Sequence, residues 1–419
     1  MRRSAYVTDR SLCPTRLPSG WALLAPLFVT TTTPSAHWRF KTLAMTTLAI
    51  LCCSTVVHAS QRNSSGSTSA PRDLKEWTFA QRPFLEVGQR SNPQWNVTKI
   101  VAAFELSNRS ILIASAEHCE FLLFDSAASF QARFGRCGQS PGEFATISSV
   151  HLLRGDSIAV FDQRSRRVTV LDARGRVGEA IEIQDLPDSL NIVVAGFAGV
   201  LDDGFLVLLG YGRDYIAQGV ARGDLHVLIF DRQGRFRRRI RSVPGNEILF
   251  ANVGGAGVAL LTPLFARKTS VRLNSDKLLL NDNELFLAEG LDSRGARLFT
   301  AALPITGQPV SRRLVRRAVE TMSAGRKLPH EVEVALTSNV PRTTPAVAQM
   351  EVDRTGHLWL RQYDVGASGN WWVFDQHGHP VAKAQWPHDA AIFAIGETVV
   401  VAVRNDRAGS AVFLFRLNR

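Results

Sequence analysis

The sequence predicts an all-β protein assembled from one repeated unit. From residue 74 onward, apolar residues alternate with polar ones or run in short blocks rich in Val, Phe, Leu and Ile and bounded by Gly, Asp and Asn. This pattern is typical of short β-strands. Turn signals recur in two sets, which divide the strands into groups of four. These observations predict six four-stranded antiparallel blades closed into a ring, that is, a six-bladed β-propeller.

The two sets of turns alternate along the chain. The first set has six members: Ser107–Arg109, Arg154–Asp156, Asp202–Gly204, Asn274–Asp276, Asp353–Gly356 and Ile395–Glu397. The second set follows the first five of these after 16 to 28 residues: Asp125–Ser126, Asp172–Gly175, Asp231–Gly234, Asp292–Gly295 and Asp375–Gly378. In the Asp-x-x-Gly form, the Asp side chain accepts a hydrogen bond from the backbone two residues on, and Gly adopts the positive φ that closes the hairpin. Each pair of turns therefore encloses one four-stranded meander.

The sixth blade lacks a fourth strand at the C-terminus, and an N-terminal strand is predicted to supply it. The last strand of this blade is Ala411–Phe415, and the chain ends at Arg419. The segment Trp77–Val87 is the candidate, because the linker Val87–Trp95 repeats the layout of Phe134–Phe144: an apolar residue, Gly, a polar loop with Pro, and an aromatic residue. An N-terminal strand beside the C-terminal one would close the ring and remove the exposed edge of an open array.

Two of the predicted blades resemble blades of the NHL-type six-bladed β-propellers. The first resemblance lies in Phe134–Phe144 with the strands Ser157–Asp162 and Arg167–Asp172, and the second lies in Val352–Leu360 with Trp372–Gly378. The likeness covers residues 76–418, although the third and fourth blades match in pattern rather than in residues. The family includes binding proteins, lyases and hydrolases, so the resemblance implies a fold and leaves the activity open.

Residues 1–59 are predicted to be a signal region. Arg39 and Lys41 precede the apolar run Leu43–Val57, and the small residue Ala59 would lie directly before a cleavage site at Ser60. A single membrane anchor is the alternative, but a run of fifteen residues falls short of the roughly 20 apolar residues that span a bilayer. Residues 60–73, rich in Ser, Gly and Pro, predict a flexible linker, and residues 74–419 the propeller. The protein is therefore expected to be extracytoplasmic, either periplasmic or secreted.

Composition limits the classes of protein and partner. With 45% hydrophobic and 21% charged residues, the chain is neither disordered nor a polytopic membrane protein. Six basic residues and one acidic residue in residues 1–59 contribute +5 to the net charge of +12, which leaves +7 for the rest. This modest excess gives no reason to expect a nucleic-acid partner.

The candidate binding surface is the face where the long insertions are predicted to lie. These insertions are Gly210–Asp224, Thr300–Ala346 between blades four and five, and Arg361–Asn370. In a propeller, the loops between strands two and three and the links between blades share one face, and loops on a rigid scaffold commonly bind ligands. The alternative is that insertions are tolerated there because closing a longer loop costs little free energy.

An acidic residue follows the second strand of every predicted blade: Glu117, Asp162, Asp214, Asp282, Asp364 and Asp406. These carboxylates could surround the channel mouth and bind a polar ligand, or each could simply cap its own turn. The predicted ligand-binding residues are Glu117, Asp162, Arg164, Arg213, Asp214, Tyr215, Arg361 and Asp364. No catalytic residue, metal site or cofactor is predicted, because no dense cluster of ligating side chains occurs.

Cys119 and Cys137 flank the hairpin at Asp125 and are predicted to lie nearly opposite each other. In an oxidising compartment they could form a disulfide. Two free thiols are the alternative, because a slip of one residue in register turns the side chains to opposite faces of the sheet.

Two basic clusters stand out. Arg235, Arg237, Arg239 and Arg241 alternate with apolar residues on one strand. Ser311–Met322 predicts one short helix with Ser311 as its N-cap. The apolar side of this helix contains Val315, Ala318, Val319 and Met322. The basic side contains Arg312, Arg313, Arg316 and Arg317. These clusters could contact anionic envelope polymers or lipids, or they could be solvated outer surface.

Two functions remain open at the level of sequence. The first is a non-catalytic binding or scaffold module that uses the inserted loops to hold a protein, glycan or small-molecule ligand, as a monomer without a stable membrane anchor. The second is a metal-assisted hydrolase or lyase with its site at the channel mouth, for which a divalent cation would be needed.

Export predicts a defined N-terminus. We expect the protein recovered from the extracytoplasmic fraction to begin at Ser60, because the small residue Ala59 ends a sequence typical of signal cleavage. N-terminal peptide mass spectrometry measures this directly. Recovery of peptides that precede Ser60 in the exported protein would contradict the prediction.

Overall fold

The computed structural model describes residues 74–88, 99–140, 142–212, 219–252, 257–323, 327–406 and 409–419. The predicted signal region and linker, residues 1–73, lie outside the described residues. Within the described ranges the protein is all-β, with twenty-six strands, two α-helices, and two single-turn 3-10 helices at Arg154–Asp156 and Asp188–Leu190.

The first fifteen strands comprise two N-terminal strands and three antiparallel meanders. The N-terminal strands are β1 (Lys75–Phe79) and β2 (Leu85–Gly88). The first meander contains β3 (Ile100–Glu105), β4 (Ile111–Ser115), β5 (Glu120–Phe124) and β6 (Phe130–Phe134). The second contains β7 (Ser149–Leu152), β8 (Ile158–Asp162), β9 (Arg167–Leu171) and β10 (Val177–Glu182). The third contains β11 (Ile192–Val200), β12 (Leu206–Gly212), β13 (Gly219–Phe230), β14 (Phe236–Asn252) and β15 (Val258–Leu261).

The remaining strands form three further antiparallel groups around a helical insertion. The fourth meander contains β16 (Ser270–Asn274), β17 (Lys277–Asn281), β18 (Leu287–Leu291) and β19 (Arg297–Ala302). Two helices follow, α1 (Arg312–Ser323) and α2 (His330–Ser338). The fifth meander contains β20 (Val347–Val352), β21 (Leu358–Gln362), β22 (Gly369–Phe374) and β23 (Pro380–Trp386). The last group contains β24 (Ala391–Ile395), β25 (Val399–Asp406) and β26 (Gly409–Asn418).

Hydrogen bonding joins the strands into five sheets, whereas the sequence predicted six separate four-stranded blades. Three sheets have four strands, one has five, and one has nine. The nine-stranded sheet arises because β1 pairs in parallel with β23 and antiparallel with β26, which links the last two groups. The N-terminal segment forms two strands instead of one, and Pro83 lies between them, where it cannot donate to a ladder. The second of these, β2, pairs antiparallel with β26, with Leu85 opposite Leu414.

Neighbouring groups contact each other through their first strands. The contacting pairs, in chain order, are β3 with β7, β7 with β11, β11 with β16, β16 with β20, and β20 with β24. The last first strand, β24, contacts β3. Each of these strands lies at an end of its sheet. The six first strands therefore contact one another in a closed cycle, and the apolar side chains that fill the core lie between neighbouring sheets. Between the last two groups, for example, Trp359, Trp371 and Trp386 are fully buried beside Trp77 of β1.

The turn chemistry predicted from the sequence is confirmed. Asp172 Oδ1 accepts hydrogen bonds from the backbone N–H groups of Arg174 and Arg176, both at 2.9 Å. Gly175 adopts φ of +82° in the same turn, a conformation in which a side chain would be strained. The same pair of bonds forms at five other turns, at Asp125, Asp231, Asp292, Asp353 and Asp375.

A disulfide joins Cys119 and Cys137, whose Cα atoms are 5.0 Å apart. The sequence left open either a disulfide or two free thiols, and the structure contains the disulfide. Gly135 permits the close approach, because it has φ of +79° and a Cβ atom there would lie 2.9 Å from the carbonyl oxygen of Cys119. The disulfide fixes the register of β5 against β6 at one end of the first meander.

The C-terminal residue links the last two groups to the N-terminal strand. The guanidinium of Arg419 forms an ion pair with Asp353 at 2.8 Å and donates hydrogen bonds to the carbonyl oxygens of Gly396 and Glu397 at 2.9 and 2.8 Å. It also lies 4.6 Å from the ring centre of Trp77 in β1. Because the Asp353 side chain is fully buried, this contact supplies a buried carboxylate with a positive partner.

Replacement of this arginine tests the link. We expect Arg419→Gln to lower the free energy of unfolding by about 1–2 kcal/mol, because a charge-assisted hydrogen bond to a buried carboxylate is lost. Urea unfolding followed by tryptophan fluorescence measures the change. The matched control is Arg416→Gln, which removes an exposed guanidinium lying over Phe84. Equal losses in the two variants would contradict the assigned role of Arg419.

Candidate functional site

Asp162 and Asp282, two acids of the predicted ring, hold their own turns. Asp162 is fully buried and accepts hydrogen bonds from the backbone N–H of Ser165 at 3.0 Å and from its hydroxyl at 2.7 Å. It also accepts a hydrogen bond from the backbone N–H of Ala145 at 2.6 Å. Asp282 Oδ1 accepts one from the backbone of Glu284 at 3.1 Å. For these two acids, the contacts are the ones expected if each acid caps its own turn.

Arg361 and Asp364 lie in one loop and hold it in shape. Arg361 is 8% exposed, and its Nη1 donates hydrogen bonds to the carbonyl oxygens of Gly366 and Ser368 at 3.0 and 3.1 Å. Burial lowers the pKa of Arg361, while Tyr363 and Asp364 raise it. Its Nε atom is buried without an acceptor in the structure. Asp364 Oδ1 lies 3.3 Å from Nη1 of Arg317 in α1, so this loop is tied to the helical insertion.

The other predicted site residues fall into two groups. Glu117 and Arg164 are exposed. Arg213, Asp214 and Tyr215 lie outside the described residues, as does the side chain of Asp406. In the described part of the chain, no three side chains of His, Cys, Asp or Glu come together in a way that could hold a metal ion. Nor does that part contain a helix long and apolar enough to cross a bilayer.

Two of the three predicted insertions, Thr300–Ala346 and Arg361–Asn370, pack together on β14 and the segment after β15. We call residues 219–224, 247–252, 257–266, 308–323, 327–344 and 361–370 the insertion platform. Its apolar core combines residues of β14, the segment after β15, both helices and the loop of Arg361: Leu249, Ala251, Leu264, Phe265, Ala318, Val332, Leu336 and Val365. A groove of about 440 Å³ lies between β14 and α2, with Phe250, Ala251 and Val334 among its apolar lining. The insertions are therefore folded structure with a core of their own.

The helical part of the platform has a closed base and a capped first helix. The backbone N–H of Val310 donates to the carbonyl oxygen of Arg342 at 2.9 Å, and that of Thr344 donates to Gln308 at 2.9 Å. Ser311 Oγ accepts a hydrogen bond from the backbone N–H of Leu314 at 3.2 Å, which confirms the predicted N-cap.

Two features of the helical insertion differ from the prediction. Met322, which was assigned to the packed side of α1, is 47% exposed. The insertion also contains the second helix, α2, which the sequence analysis missed. In His330–Ser338, Val332 and Val334 alternate with Glu331 and Glu333, so the period is that of a strand. The two acids in the first turn were the available signal, since carboxylates stabilise a helix N-terminus.

Burial shifts the pKa of three side chains around the platform. Burial raises the pKa of Tyr211 and of Tyr363, and lowers the pKa of Lys268. The ring of Tyr363 lies 6.3 Å from that of Phe265 in the platform core. A lowered amine pKa and raised phenol pKa values both reflect the cost of forming charge in a partly dry environment.

A cluster of polar side chains lies on the first strands of the meanders, the strands that contact one another in the closed cycle. Arg272 of β16 forms a two-pronged contact with Glu351 of β20, at 3.2 Å from Nε and 3.0 Å from Nη2. Gln349 Nε2 donates to Glu351 at 3.0 Å and to the carbonyl oxygen of Ile392 at 2.7 Å. His151 of β7 donates from Nε2 to a carbonyl oxygen of β11 at 3.0 Å. We call His151, Arg272, Gln349 and Glu351 the central polar cluster.

The central polar cluster contains a neutral histidine beside a fixed positive charge. Burial, together with the positive charge of Arg272, lowers the pKa of His151 to about 4, although its hydrogen bond to Phe197 acts in the opposite sense. The pKa of Arg272 is raised because Glu351 stabilises its charge. The Arg272 side chain keeps 39% of its exposed surface, and burial opposes its charge less than Glu351 supports it.

Sequence analysis missed the central polar cluster, although a signal was present. Three of its members each lie between two apolar residues of a first strand, in Val150–Leu152, Val271–Leu273 and Met350–Val352. Alternation places the polar residue on the face opposite the packed one. In an ordinary sheet that face meets solvent, so the pattern alone did not reveal that these three strands belong to a closed cycle of six first strands.

The pKa of His151 predicts a pH dependence of stability. The unfolded chain protonates this group near pH 6.5 and the folded chain near pH 4, so the unfolded state binds more protons between these values. Folding stability attributable to His151 is therefore complete above pH 6.5 and falls as the pH decreases toward 4, by roughly 3 kcal/mol at most. We expect His151→Gln to lose less stability than the parent over this range. Urea unfolding at several pH values measures both proteins, and parallel curves would contradict the prediction.

Comparison with known proteins gives likeness in structure and none in sequence. No family model matches the chain, and no curated protein matches it. An exported protein of Bacteroides fragilis, at 11% identity, covers 83% of this chain and 99% of its own with a TM-score of 0.45. Regucalcin, a calcium-binding protein of Agrobacterium tumefaciens, is 10% identical and covers 83% of this chain and 97% of its own, with a TM-score of 0.37. A gluconolactonase of Xanthomonas campestris is 12% identical and covers 77% of this chain and 87% of its own, with a TM-score of 0.38. Regucalcin and the gluconolactonase are propeller-type proteins.

Proposed function

We propose that the chain is an exported six-bladed β-propeller of the NHL type. The closed cycle of six first strands supports this count, and so does the pairing of β2 with β26, which brings an N-terminal strand beside the C-terminal one. On this proposal the nine-stranded sheet is two blades joined through β1. The sequence features of a cleaved signal at residues 1–59 support an extracytoplasmic location.

Within this fold, the protein acts as a non-catalytic binding or scaffold module, and the insertion platform is its binding surface. The observation that carries the proposal is that separate insertions, distant in sequence, share one apolar core. Ordering these residues costs conformational entropy, which scales with the number of residues fixed. A shared core with a closed base offsets that cost and gives a rigid surface rather than a set of independent loops.

The groove between β14 and α2 is a concave part of the platform in which a ligand could lie. Its floor is apolar, with Phe250, Ala251 and Val334, and its polar lining includes His330 and Asn339. An apolar floor with a few polar groups at the edge is the common composition of ligand sites, because burial supplies affinity and the polar groups fix orientation.

The acidic residues act mainly in support of this surface. Asp364 ties the loop of Arg361 to α1, and Asp162 and Asp282 hold their own turns. The central polar cluster has a related role: its hydrogen bonds and ion pair connect first strands of different meanders. Such links hold neighbouring sheets in fixed relative positions.

Excision of the helices tests the proposed binding surface. Residues 311–341 are replaced by Asn-Gly, a two-residue turn that suits the antiparallel pair at Val310 and Arg342. We expect capture of the ligand from an extracytoplasmic extract to fall at least tenfold. Quantitative mass spectrometry of captured protein, glycan and small molecules gives the readout.

Two controls accompany this experiment. The excised protein must still unfold cooperatively in urea and retain the disulfide between Cys119 and Cys137. The control variant, with Gln at both His377 and His379, changes an exposed hairpin tip and should capture the same ligand as the parent. Unchanged capture by a folded, excised protein would overturn the proposed function.

A further inference from the structure

Strand β15 ends the five-stranded sheet with an open edge. The strand order in this sheet runs from β11 to β15, and Val258–Leu261 pairs with residues 249–252 of β14 on one side only. The residues of β15 form no other hydrogen bond with a described residue. In an antiparallel ladder, alternate residues point their N–H and C=O groups away from the neighbouring strand. The outer edge of β15 therefore presents backbone groups to which a further strand could bind.

β15 lacks the charged residues that protect other outer edges of the protein. Three sheets end, at the side opposite their first strands, in β6, β10 and β19. Each of these strands carries exposed charge, at Arg133, at Glu179 and Glu182, and at Arg297. Charge on an edge strand discourages pairing with another chain, because the new interface would bury it. Residues 248–266, which include β15, contain no Asp, Glu, Lys, Arg or His, so this edge has no such protection.

Apolar side chains lie beside the open edge on one face of the sheet. Val258 is 64% exposed and Leu260 is 38% exposed, and alternation along the strand places both on the same face. Neither belongs to an apolar cluster of the described residues. Leu261, on the other face, packs against the platform core. β15 is therefore packed on one face, and apolar but uncovered on the other.

These features specify the chemistry of the partner. The free N–H and C=O groups of an edge are matched by the backbone of another β-strand, which offers both groups at the same spacing. The uncharged side chains beside the edge fit apolar side chains on that strand. Lipid tails would supply no donors to the edge, and the hydroxyl groups of a glycan would supply no apolar side chains.

A second copy of the chain meets both requirements. Two strands related by a two-fold axis perpendicular to the sheet run antiparallel, and residues opposite each other share a face. With Ala259 on the axis, Val258 lies opposite the partner subunit's Leu260, and Leu260 lies opposite the partner subunit's Val258. No like charges meet across this pair, because the strand is uncharged. Of the four outer strands β6, β10, β15 and β19, only β15 is unprotected, so the pairing closes at two copies.

We propose that the protein forms a two-fold symmetric dimer through antiparallel pairing of β15 with the β15 of a second copy. The five-stranded sheets of the two subunits become one continuous sheet, and the side chains of Val258 and Leu260 pack across the junction. The dimer replaces the monomer expected from the sequence. It goes beyond the proposed binding function, because it uses the edge of β15 and not the groove between β14 and α2.

Sedimentation velocity with the purified chain from Ser60 to Arg419 tests the proposal. We expect the mass of a dimer, falling toward that of the monomer on dilution. Leu260→Lys should weaken self-association roughly 100-fold, because two apolar pairs are lost and two charges enter the interface. A parent that stays monomeric at every concentration overturns the proposal, even if a strand of another protein pairs with β15. Particles that grow beyond a dimer overturn it as well.

The matched control is Leu298→Lys. Leu298 is 51% exposed on the outer strand β19, next to Arg297, so the control removes the same side chain and adds the same charge at a protected edge. We expect this variant to dimerise as the parent does, and both variants should unfold cooperatively in urea. Equal loss of the dimer in Leu260→Lys and Leu298→Lys would assign association to net charge and contradict the role of β15.

A double variant tests the register of the pair. Val258→Glu should by itself weaken association about as much as Leu260→Lys. Both changes in one chain place opposite charges across the junction twice, so we expect the double variant to associate about tenfold more tightly than either single variant. A double variant that associates no more tightly than the single ones shows that Val258 and Leu260 are not opposed, and the pairing is then wrong.

The dimer and the proposed binding function fail on different readouts. A monomeric parent that captures its ligand contradicts the dimer alone. A dimeric, helix-excised protein with unchanged ligand capture contradicts the binding function alone.

Discussion

The contact between the two ends of the folded chain is the constraint on which the rest of the structure depends. Arg419 pairs with the buried carboxylate of Asp353, and its guanidinium lies over Trp77 of the first strand. Beside this contact, β1 bridges the fifth and last groups and β2 completes the pairing of β26. Without these pairings, the last group would expose an unpaired strand edge.

Closure of the cycle matters for function because it holds the first strands, and the central polar cluster on them, in fixed positions. In a closed cycle, each first strand is held by two neighbours, and the ion pair of Arg272 with Glu351 and the hydrogen bond of His151 connect different meanders. A rigid base of this kind lets long insertions pack on each other rather than move independently. The insertion platform is thus a consequence of the scaffold as much as of its own apolar residues.

Residue type alone did not distinguish structural from available charge. Arginines of β14 and arginines of α1 form similar clusters in the sequence, yet Arg237 and Arg241 pair with Asp231 and Glu289, whereas Arg312, Arg313 and Arg316 have no acidic partner among the described residues. Acids behaved in the same way: Asp162 holds its own turn, while Asp364 links two insertions. A charged side chain acquires its role from neighbours that are distant in sequence.

Local chemistry in the chain fixes the hairpin repeat, the Asp-x-x-Gly turns and the Ser311 cap, because each depends on residues within four positions of one another. Long-range pairing determines the rest. The division of the N-terminus into β1 and β2 and the gathering of the central polar cluster require strand registers that no local pattern specifies. The disulfide between Cys119 and Cys137 depends on a hairpin register that the sequence left open by one residue. The helix α2 belongs with them, since its alternating Val and Glu residues favour a strand until packing against Leu249 and Phe265 selects the helix.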